Sequence, residues 1–289
     1  MTAHPSALFL SPYQRKHRIA AHELLVSSFH VHTHLDWFDV EDWLATSGAP
    51  IRVAARNGRL SGLMGVSAPL DGASWLRIAA VSDYQDTGSI LLTLWEDLKP
   101  ELRALGVHQV AVLLLRDWPE RYLPRMGFHY LEDIVTLRRS DSREPVELTV
   151  DGCTVRTMRA EDMSAVVETD HTAFQPPWQM GGEELRRAEE SAAWSTVAVS
   201  SSGEILGYQM TTLYFDGAHL ARLAVLPQVR SRGIGRMLVS SMLRYFWRRG
   251  VYGITVNTQE SNIASQRLYT RLGFERTGYD LPVWVADLD

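Results

Sequence analysis

The spacing of apolar positions divides the chain into strands and helices that recur in the same order twice. The pattern is plainest over 219–250. Leu220, Leu223 and Val225 form an apolar run closed by Pro227, which reads as a strand. Ile234, Leu238, Met242 and Phe246 then recur at helical spacing. Arg248 and Arg249 stand in the last turn, where cations suit the negative helix end, and Gly250 supplies a left-handed stop. Residues 252–257 (YGITVN) read as the next strand and 261–274 (SNIASQRLYTRLGF) as a further helix.

The same pattern fills in the rest of the chain. In the second half it predicts a strand over 152–158 and a helix over 160–170. Strands at 195–200 and 205–215 follow around a Ser-Ser-Gly turn, with a last strand at 282–288. In the first half it predicts a helix over 17–28 with Ile19, Leu24 and Leu25 inward. A hairpin of 51–57 and 60–69 turns at Asn57-Gly58. A strand at 74–81 and a helix at 88–105 follow, the latter kinked by Pro100. Strands at 109–115 and 128–138 end this sheet. The polar segment 140–147 (SDSREPVE) reads as a linker.

Landmarks of the two halves keep a nearly constant offset. RYLPRMGF at 121–128 parallels RLYTRLGF at 267–274, and Gly127 and Gly273 are 273 − 127 = 146 apart. Gln85-x-x-Gly88 parallels Arg230-x-x-Gly233, with 230 − 85 = 145. Gly106 and Gly250 each close a long helix before an apolar strand. So long a period excludes a solenoid and indicates a duplicated domain, 1–145 and 146–289.

Composition narrows the class. Of 289 residues, 45% are hydrophobic and 22% charged, as in an ordinary globular protein. A net charge of −5 disfavours a general nucleic-acid binder. The single cysteine, Cys153, excludes an internal disulfide framework and fits a reducing, cytoplasmic setting. No apolar run approaches bilayer length, so no membrane partner is expected.

The chemistry lies in the loop before the long helix of the second half. Arg230, Ser231, Arg232, Gly233, Ile234 and Gly235 stand where that helix begins. The first amides of a helix have no internal partner and point outward with the positive end of the macrodipole. Glycines let a phosphate reach that backbone, and two arginines add mobile charge. The order Arg-x-x-Gly-x-Gly, with no following Lys, fits neither the dinucleotide fingerprint nor a P-loop.

The ordered set resembles the coenzyme A-binding core of the GCN5-related N-acetyltransferases (GNAT): strand, Arg-x-x-Gly-x-Gly, helix, strand, Asn-led helix and Tyr-x-x-x-Gly-Phe. The resemblance implies an α/β fold (α+β by some schemes). It would comprise two tandem GNAT-like domains, each a mixed, mostly antiparallel twisted sheet flanked by helices. The layout is similar to that of mycothiol-synthase-like proteins. It implies an acyl-CoA-dependent N-acetyltransferase that moves acetyl from acetyl-CoA directly to a primary amine of a small molecule or peptide. No metal is expected, and the chain would be a monomer (an internal pseudo-dimer) or a weak homodimer. A non-catalytic acetyl-CoA-binding regulator fits the same cradle. An aminoacyl-tRNA-dependent transferase is disfavoured by the acidic charge.

Residue roles follow from the resemblance. Leu223, Ala224 and Val225 would offer backbone to the pantetheine arm and the acetyl carbonyl, between two parallel strands that splay apart. The loop 230–235 would hold the pyrophosphate, and Asn257, Asn262 and Ser265 complete the cofactor set. Tyr269 is the candidate acid for the leaving thiolate. It shares a helix face with Asn262 and Ser265, while Leu268 and Leu272 point to the core. Asn262 is also placed to cap that helix. Glu168 and His219 are the foremost of several candidate bases. Residues 173–185 (AFQPPWQMGGEEL), with Phe174, Trp178 and Met180, read as a loop over the acceptor.

The first copy departs from the pattern. Ile90 stands where the second has Gly235, and its side chain is expected to crowd a phosphate. Asp83 and Asp86 replace arginines and repel an anion. Leu123 replaces Tyr269. This copy is expected to be degenerate. Its His30, His32 and His34 alternate and with Asp36 form a zinc-like set, but the resemblance implies no metal and the segment corresponds to 173–185, so a pocket-lining or inter-domain role is expected instead.

Overall fold

The structure, a computed structural model, describes residues 8–46, 48–83 and 85–288. It separates into two compact units, Met1–Leu131 with Leu281–Asp289, and Glu132–Asp280. The boundary read from the sequence at 145/146 differs from this division in an instructive way. Each unit takes its closing strand from the other half of the sequence.

The first unit contains β1 (Phe9–Pro12), α1 (Arg18–Ser27), β2 (His30–Thr33), α2 (Val40–Thr46), β3 (Ile51–Arg56), β4 (Arg59–Val66), β5 (Ala73–Val81), α3 (Thr87–Ala104) and β6 (Gln109–Leu113). Then come β7 (His129–Arg139), β8 (Cys153–Thr157), α4 (Met163–Ala173), α5 (Gly182–Ser191), β9 (Trp194–Ser200), β10 (Ile205–Tyr214), β11 (Gly217–Val225), α6 (Ile234–Trp247), β12 (Ile254–Gln259), α7 (Ile263–Arg271) and β13 (Glu275–Asp287). The chain thus has the α/β architecture of mixed, mostly antiparallel sheets flanked by helices.

In the first unit β1, β3, β4 and β5 pair antiparallel in that order, and β6 joins β5 in parallel. The next strand is not β7. Residues Val283–Asp287 of β13 pair antiparallel with β6. In the second unit β8, β9, β10 and β11 pair antiparallel, β12 joins β11 in parallel, and Ile134–Arg139 of β7 lie against β12. The strands expected at 128–138 and 282–288 both exist, but each completes the other sheet. Alternation of side chains shows that a strand has one buried face; it carries no information on which edge the strand joins.

The α3 helix continues through Pro100. Two other expectations change. Ile19 is exposed, because the inward residues of α1 are Ala21 and Leu24, on the opposite side of the helix. Segment 140–147 is fastened along α6: Trp247 Nε1 donates to the Ser142 carbonyl at 2.8 Å, Ser240 Oγ to the Val146 carbonyl, and Arg244 pairs with Glu147 at 3.1 Å.

The exchanged tail is core material. Val283, Val285, Ala286 and Leu288 are all buried in the first unit. Burying three large aliphatic side chains is worth on the order of 5 kcal/mol, comparable to the stability of a domain. A chain ending at Asp280 is therefore expected to lose cooperative folding of its first unit. Limited proteolysis of that chain should then cut within 8–131 while residues 132–280 resist; equal resistance of both units would contradict the exchange.

Candidate active site

The site of the second unit begins where two parallel strands part. β11 and β12 pair only at Ala218–Ile254, His219–Thr255 and Leu220–Val256. Beyond that, β11 continues to Val225 against β10 and β12 continues to Gln259 against β7. The facing edges of residues 221–225 and 257–259 are thus free of strand pairing among the described residues. This is the splay that the resemblance implied and the sequence did not display.

A bulge sits at the mouth of the opening. β10–β11 pairing shifts between Met210 and Thr211, so that Ala221 has no opposite residue. An extra residue turns the following side chains over. Ala218 and Leu220 pack towards α6, and after the bulge Leu223 and Val225 do so again. Arg222 is thereby aimed at the α4 face, as is His219.

That face is held by a buried charged cluster. Asp170 of α4 is fully buried. Arg222 Nε and Nη2 donate to its two oxygens at 2.7 and 2.8 Å, and Tyr208 Oη donates to Oδ2 at 2.5 Å. Burial, with the Asp170 charge added, pushes the Tyr208 phenol well up. The same groups fix the segment 174–181. Arg222 Nη2 donates to the Trp178 carbonyl at 2.7 Å and the Met180 N–H donates to Asp170 at 3.0 Å. The Arg222 guanidinium carbon lies 3.7 Å from the Phe174 ring centroid. His171 Nε2 and the Met180 carbonyl are 2.9 Å apart. The expected loop ends sooner than 185, since α5 starts at Gly182.

The α6 helix opens beside the splay. Gly233 is its N-cap with φ +91°, a left-handed conformation that favours glycine. Ser231 also has positive φ, at 62°, and is exposed with Arg232. At Gly235 a Cβ would stand 2.9 Å from Leu268 Cδ1, so the glycine also eases the approach of α7 to α6. Ile234 is core. Arg230 is not a mobile charge. Its Nε donates to the Val225 carbonyl at 3.1 Å and Nη2 to the Ala173 carbonyl at 2.7 Å, bracing the loop. Arg236, one residue past the motif, was passed over by sequence reasoning. It lies in the first turn of α6 with a buried Nε lacking a partner.

The other candidates separate. Asn262 caps α7, its side chain accepting from the Ser265 N–H at 3.1 Å. Asn257 is exposed at the first position after the last β11–β12 pair. Tyr269 follows Asn262 and Ser265 on the inward side of α7. It is 4% exposed, in the α6–sheet core beside Phe274, and burial pushes its phenol above the ordinary tyrosine value. Leu268 and Leu272 are only partly buried. His219 Nδ1 lies 2.9 Å from Thr255 Oγ1. Glu168 is exposed, on the side of α4 opposite Val166 and Asp170, away from the Arg222 cluster.

The first unit repeats this geometry and then fills it. β5 and β6 pair at Ala73–Gln109, Ser74–Val110 and Trp75–Ala111, each 145 residues before its counterpart. Past that point β5 is not free. Strand β2 pairs with it, Thr33 to Ile78, His32 to Ala79, Val31 to Ala80 and His30 to Val81. Ile78, Ala79 and Ala80 are the counterparts of Leu223, Ala224 and Val225. Trp118 Nε1 fastens β2 by donating to the Val31 carbonyl at 3.1 Å. The start of α3 is capped by Asp86, which accepts from the Ser89 N–H. Ile90 does not crowd that entrance; it packs inward, and a Cβ on Gly62 would lie 2.5 Å from it. Asp83 accepts from the Phe29 N–H at 2.9 Å. Leu123 is core. The alternating histidines form no metal set: no group of three or more His, Cys, Asp or Glu among the described residues is placed to hold a metal ion.

These features define a fold class: two GNAT-fold units in one chain. Residues 163–274 match the sequence model of the Acetyltransferase (GNAT) family, which lies within the second half. The chain is 29% identical over 163 residues to a mycothiol acetyltransferase of Amycolatopsis mediterranei, covering 51% of this chain and 54% of the relative. It therefore spans about half the length of that relative. It is 25% identical over 121 residues to the [ribosomal protein bS18]-alanine N-acetyltransferase of Escherichia coli K12, covering 42% of this chain and 80% of the relative. Among solved structures, a tandem GNAT protein from the clavulanic acid biosynthesis pathway superposes with a TM-score of 0.65 at 17% identity, over 98% of this chain and 99% of that one. No helix among the described residues is long and apolar enough to cross a membrane.

His32 gives a pH signature of the filled slot. It is 3% exposed, and burial, with His34 and Arg77 nearby, pushes its imidazole down to about 4. The unfolded chain protonates near 6.5, so the stability gained from a neutral His32 is complete above that pH. It is lost as pH falls from 6.5 towards 4, at a total cost of about 3 kcal/mol. Urea unfolding at pH 7 and 4.5 should show a smaller acid-side loss in His32→Leu than in the wild type; parallel pH profiles would exclude this histidine as the cause.

Proposed function

We propose that the chain is an acetyl-CoA-dependent N-acetyltransferase that works through its second unit only. The observation that carries this reading is the open edge of β11 beside the glycine-started α6, set against the same edge in the first unit closed by β2.

The residues present fit the co-substrate. The free amides at the start of α6, with Gly233 presenting no side chain, suit a pyrophosphate. Arg232 and Arg236 supply charge there, while Arg230 acts as a brace. The edge of β11 over Leu223, Ala224 and Val225 that β12 leaves open suits a pantetheine arm and the carbonyl that becomes an oxyanion. Acetyl-CoA supplies the activated acyl group as a thioester.

The transfer forms a bond from the amine nitrogen to the acetyl carbon and breaks the carbon–sulfur bond. The nitrogen sheds a proton and the sulfur leaves as thiolate. His219 lies on the acceptor face, oriented by Thr255, and is preferred to the outward-facing Glu168 as the group that takes the proton, directly or through water. Tyr269 remains protonated at any ordinary pH. A thiol of ordinary pKa near 8.5 is a weaker base than a phenolate whose pKa exceeds 10, so full transfer from this phenol is uphill. Tyr269 then serves chiefly as a hydrogen-bond donor to the departing sulfur, and bulk water supplies the proton afterwards.

Calorimetric titration should find one acetyl-CoA site per chain; two would overturn the filled-slot reading of the first unit. Gly233→Asp should weaken binding by about 100-fold or more through repulsion at the helix start, whereas Gly233→Asn, which tolerates the same backbone without the charge, should retain most of it. Equal losses in the two would mean that backbone strain and not charge is responsible. Tyr269→Phe should lower kcat by on the order of 100-fold with acetyl-CoA affinity nearly intact; an equal loss of affinity would remove Tyr269 from the transfer step. A cofactor-binding regulator would bind acetyl-CoA yet release no thiol with any amine.

A further inference from the structure

Arg222 does more than close a buried ion pair. Its Nε and Nη2 are engaged by Asp170 and the Trp178 carbonyl. The third nitrogen, Nη1, donates to no described residue, and the side chain keeps 14% of its surface in solvent. A clamp between β11, α4 and the 174–181 segment is complete with two nitrogens. The third is left over, on a planar group held edge and face by Asp170 and Phe174.

Its position gives it a use. Arg222 follows the last β11–β12 pair by two residues and precedes Leu223. Its side chain lies on the α4 face, the side from which an acceptor must enter if the co-substrate lies along α6. His219, Thr255 and Asn257 stand on the two parting strands beside it. Asp170 is buried, its charge balanced by Arg222 and its Oδ2 accepting from Tyr208, so this carboxylate is not offered to a polycation. The guanidinium offers N–H donors to an oxygen instead. Phe174, Trp178 and Met180 add apolar surface beside it, each half-buried.

We propose that Arg222 Nη1 selects the acceptor: an amine whose neighbouring carbon bears a carbonyl-type oxygen, as in an α-aminoacyl group, in preference to a simple alkylamine or a polyamine. This rests on the transferase reading of the same site. One good hydrogen bond to a charged group is worth about 10-fold or more in selectivity. The oxygen belongs either to a free amino acid, as carboxylate, or to a peptide-like amide, as carbonyl.

Three compounds that share a side chain separate these cases: phenylalanine, phenylalaninamide and phenethylamine. With acetyl-CoA and the full chain, at least one of the first two should exceed phenethylamine in kcat/KM by about 10-fold or more. Which of the two leads tells carboxylate from amide. Phenethylamine acetylated as well as both would overturn the assignment. Arg222→Lys keeps a cation beside Asp170 but loses the fork. It should shrink the ratio between the preferred compound and phenethylamine, a ratio that a smaller folded fraction does not alter. An unchanged ratio would reduce Arg222 to a clamp. If no amine is acetylated, the transferase reading fails by itself. The same three compounds titrated calorimetrically into the full chain then decide the oxygen contact by their Kd ratio.

Discussion

The second unit is built around one buried ion pair, Arg222 with Asp170. Taking both charges out of water is costly, and the geometry answers that cost with two short hydrogen bonds, a phenol and two backbone groups. Such a pair is weak grounds for added stability, but it fixes geometry, since removing either partner leaves an uncompensated buried charge. Here it fixes three things together: the register of β11 after its bulge, the end of α4, and the path of residues 174–181. The bulge and the opening of β11 from β12 fall at the same place, so the acceptor side and the co-substrate side are set by a single constraint.

The first unit shows what happens when the same plan is given a different occupant. Arg77, the repeat counterpart of Arg222, also lies at a strand bulge. It also reaches an acid and a loop carbonyl, Asp36 at 3.0 Å and His34 at 3.2 Å. The two strands part at the equivalent pair. The difference lies in β2, four residues of the chain that hydrogen-bond to the edge left open in the other unit. Two copies of one supersecondary unit thus end in opposite states, one with its slot vacant of protein and one with it filled by its own backbone.

Much of this was legible in residues and some was not. The Arg-x-x-Gly-x-Gly loop and the helical period after it were readable because both are local, and so were the 145-residue offset and the Asn262 cap. The exchange of β7 and β13 was hidden, since hydrophobic alternation marks a buried face but not a neighbour. The buried Arg222–Asp170 pair was hidden as well. A charged residue in a strand normally signals a solvent face, and only the bulge, which the sequence does not announce, turns Arg222 inward. Gly235 was recognised, but its contact with Leu268, between helices about 30 residues apart, was not. Counting by threes and fours put Tyr269 on one face with Asn262 and Ser265, where it stands, but did not show that this face turns inward and buries the phenol. Counting gives relative directions on a helix and leaves its absolute rotation to the packing.

The exchanged strands also impose an order on synthesis. The first unit emerges from the ribosome first but lacks the strand that seals its sheet, which follows about 150 residues later. At ordinary elongation rates of roughly 5–20 residues per second, β6 waits on the order of ten seconds or more with one edge unpaired. The second unit is complete once Asp280 has emerged, because β7 precedes it, while the first still waits for Leu281–Asp289. The half that is made first is therefore finished last, and its exposed edge is the interval in which a nascent chain would depend on a chaperone.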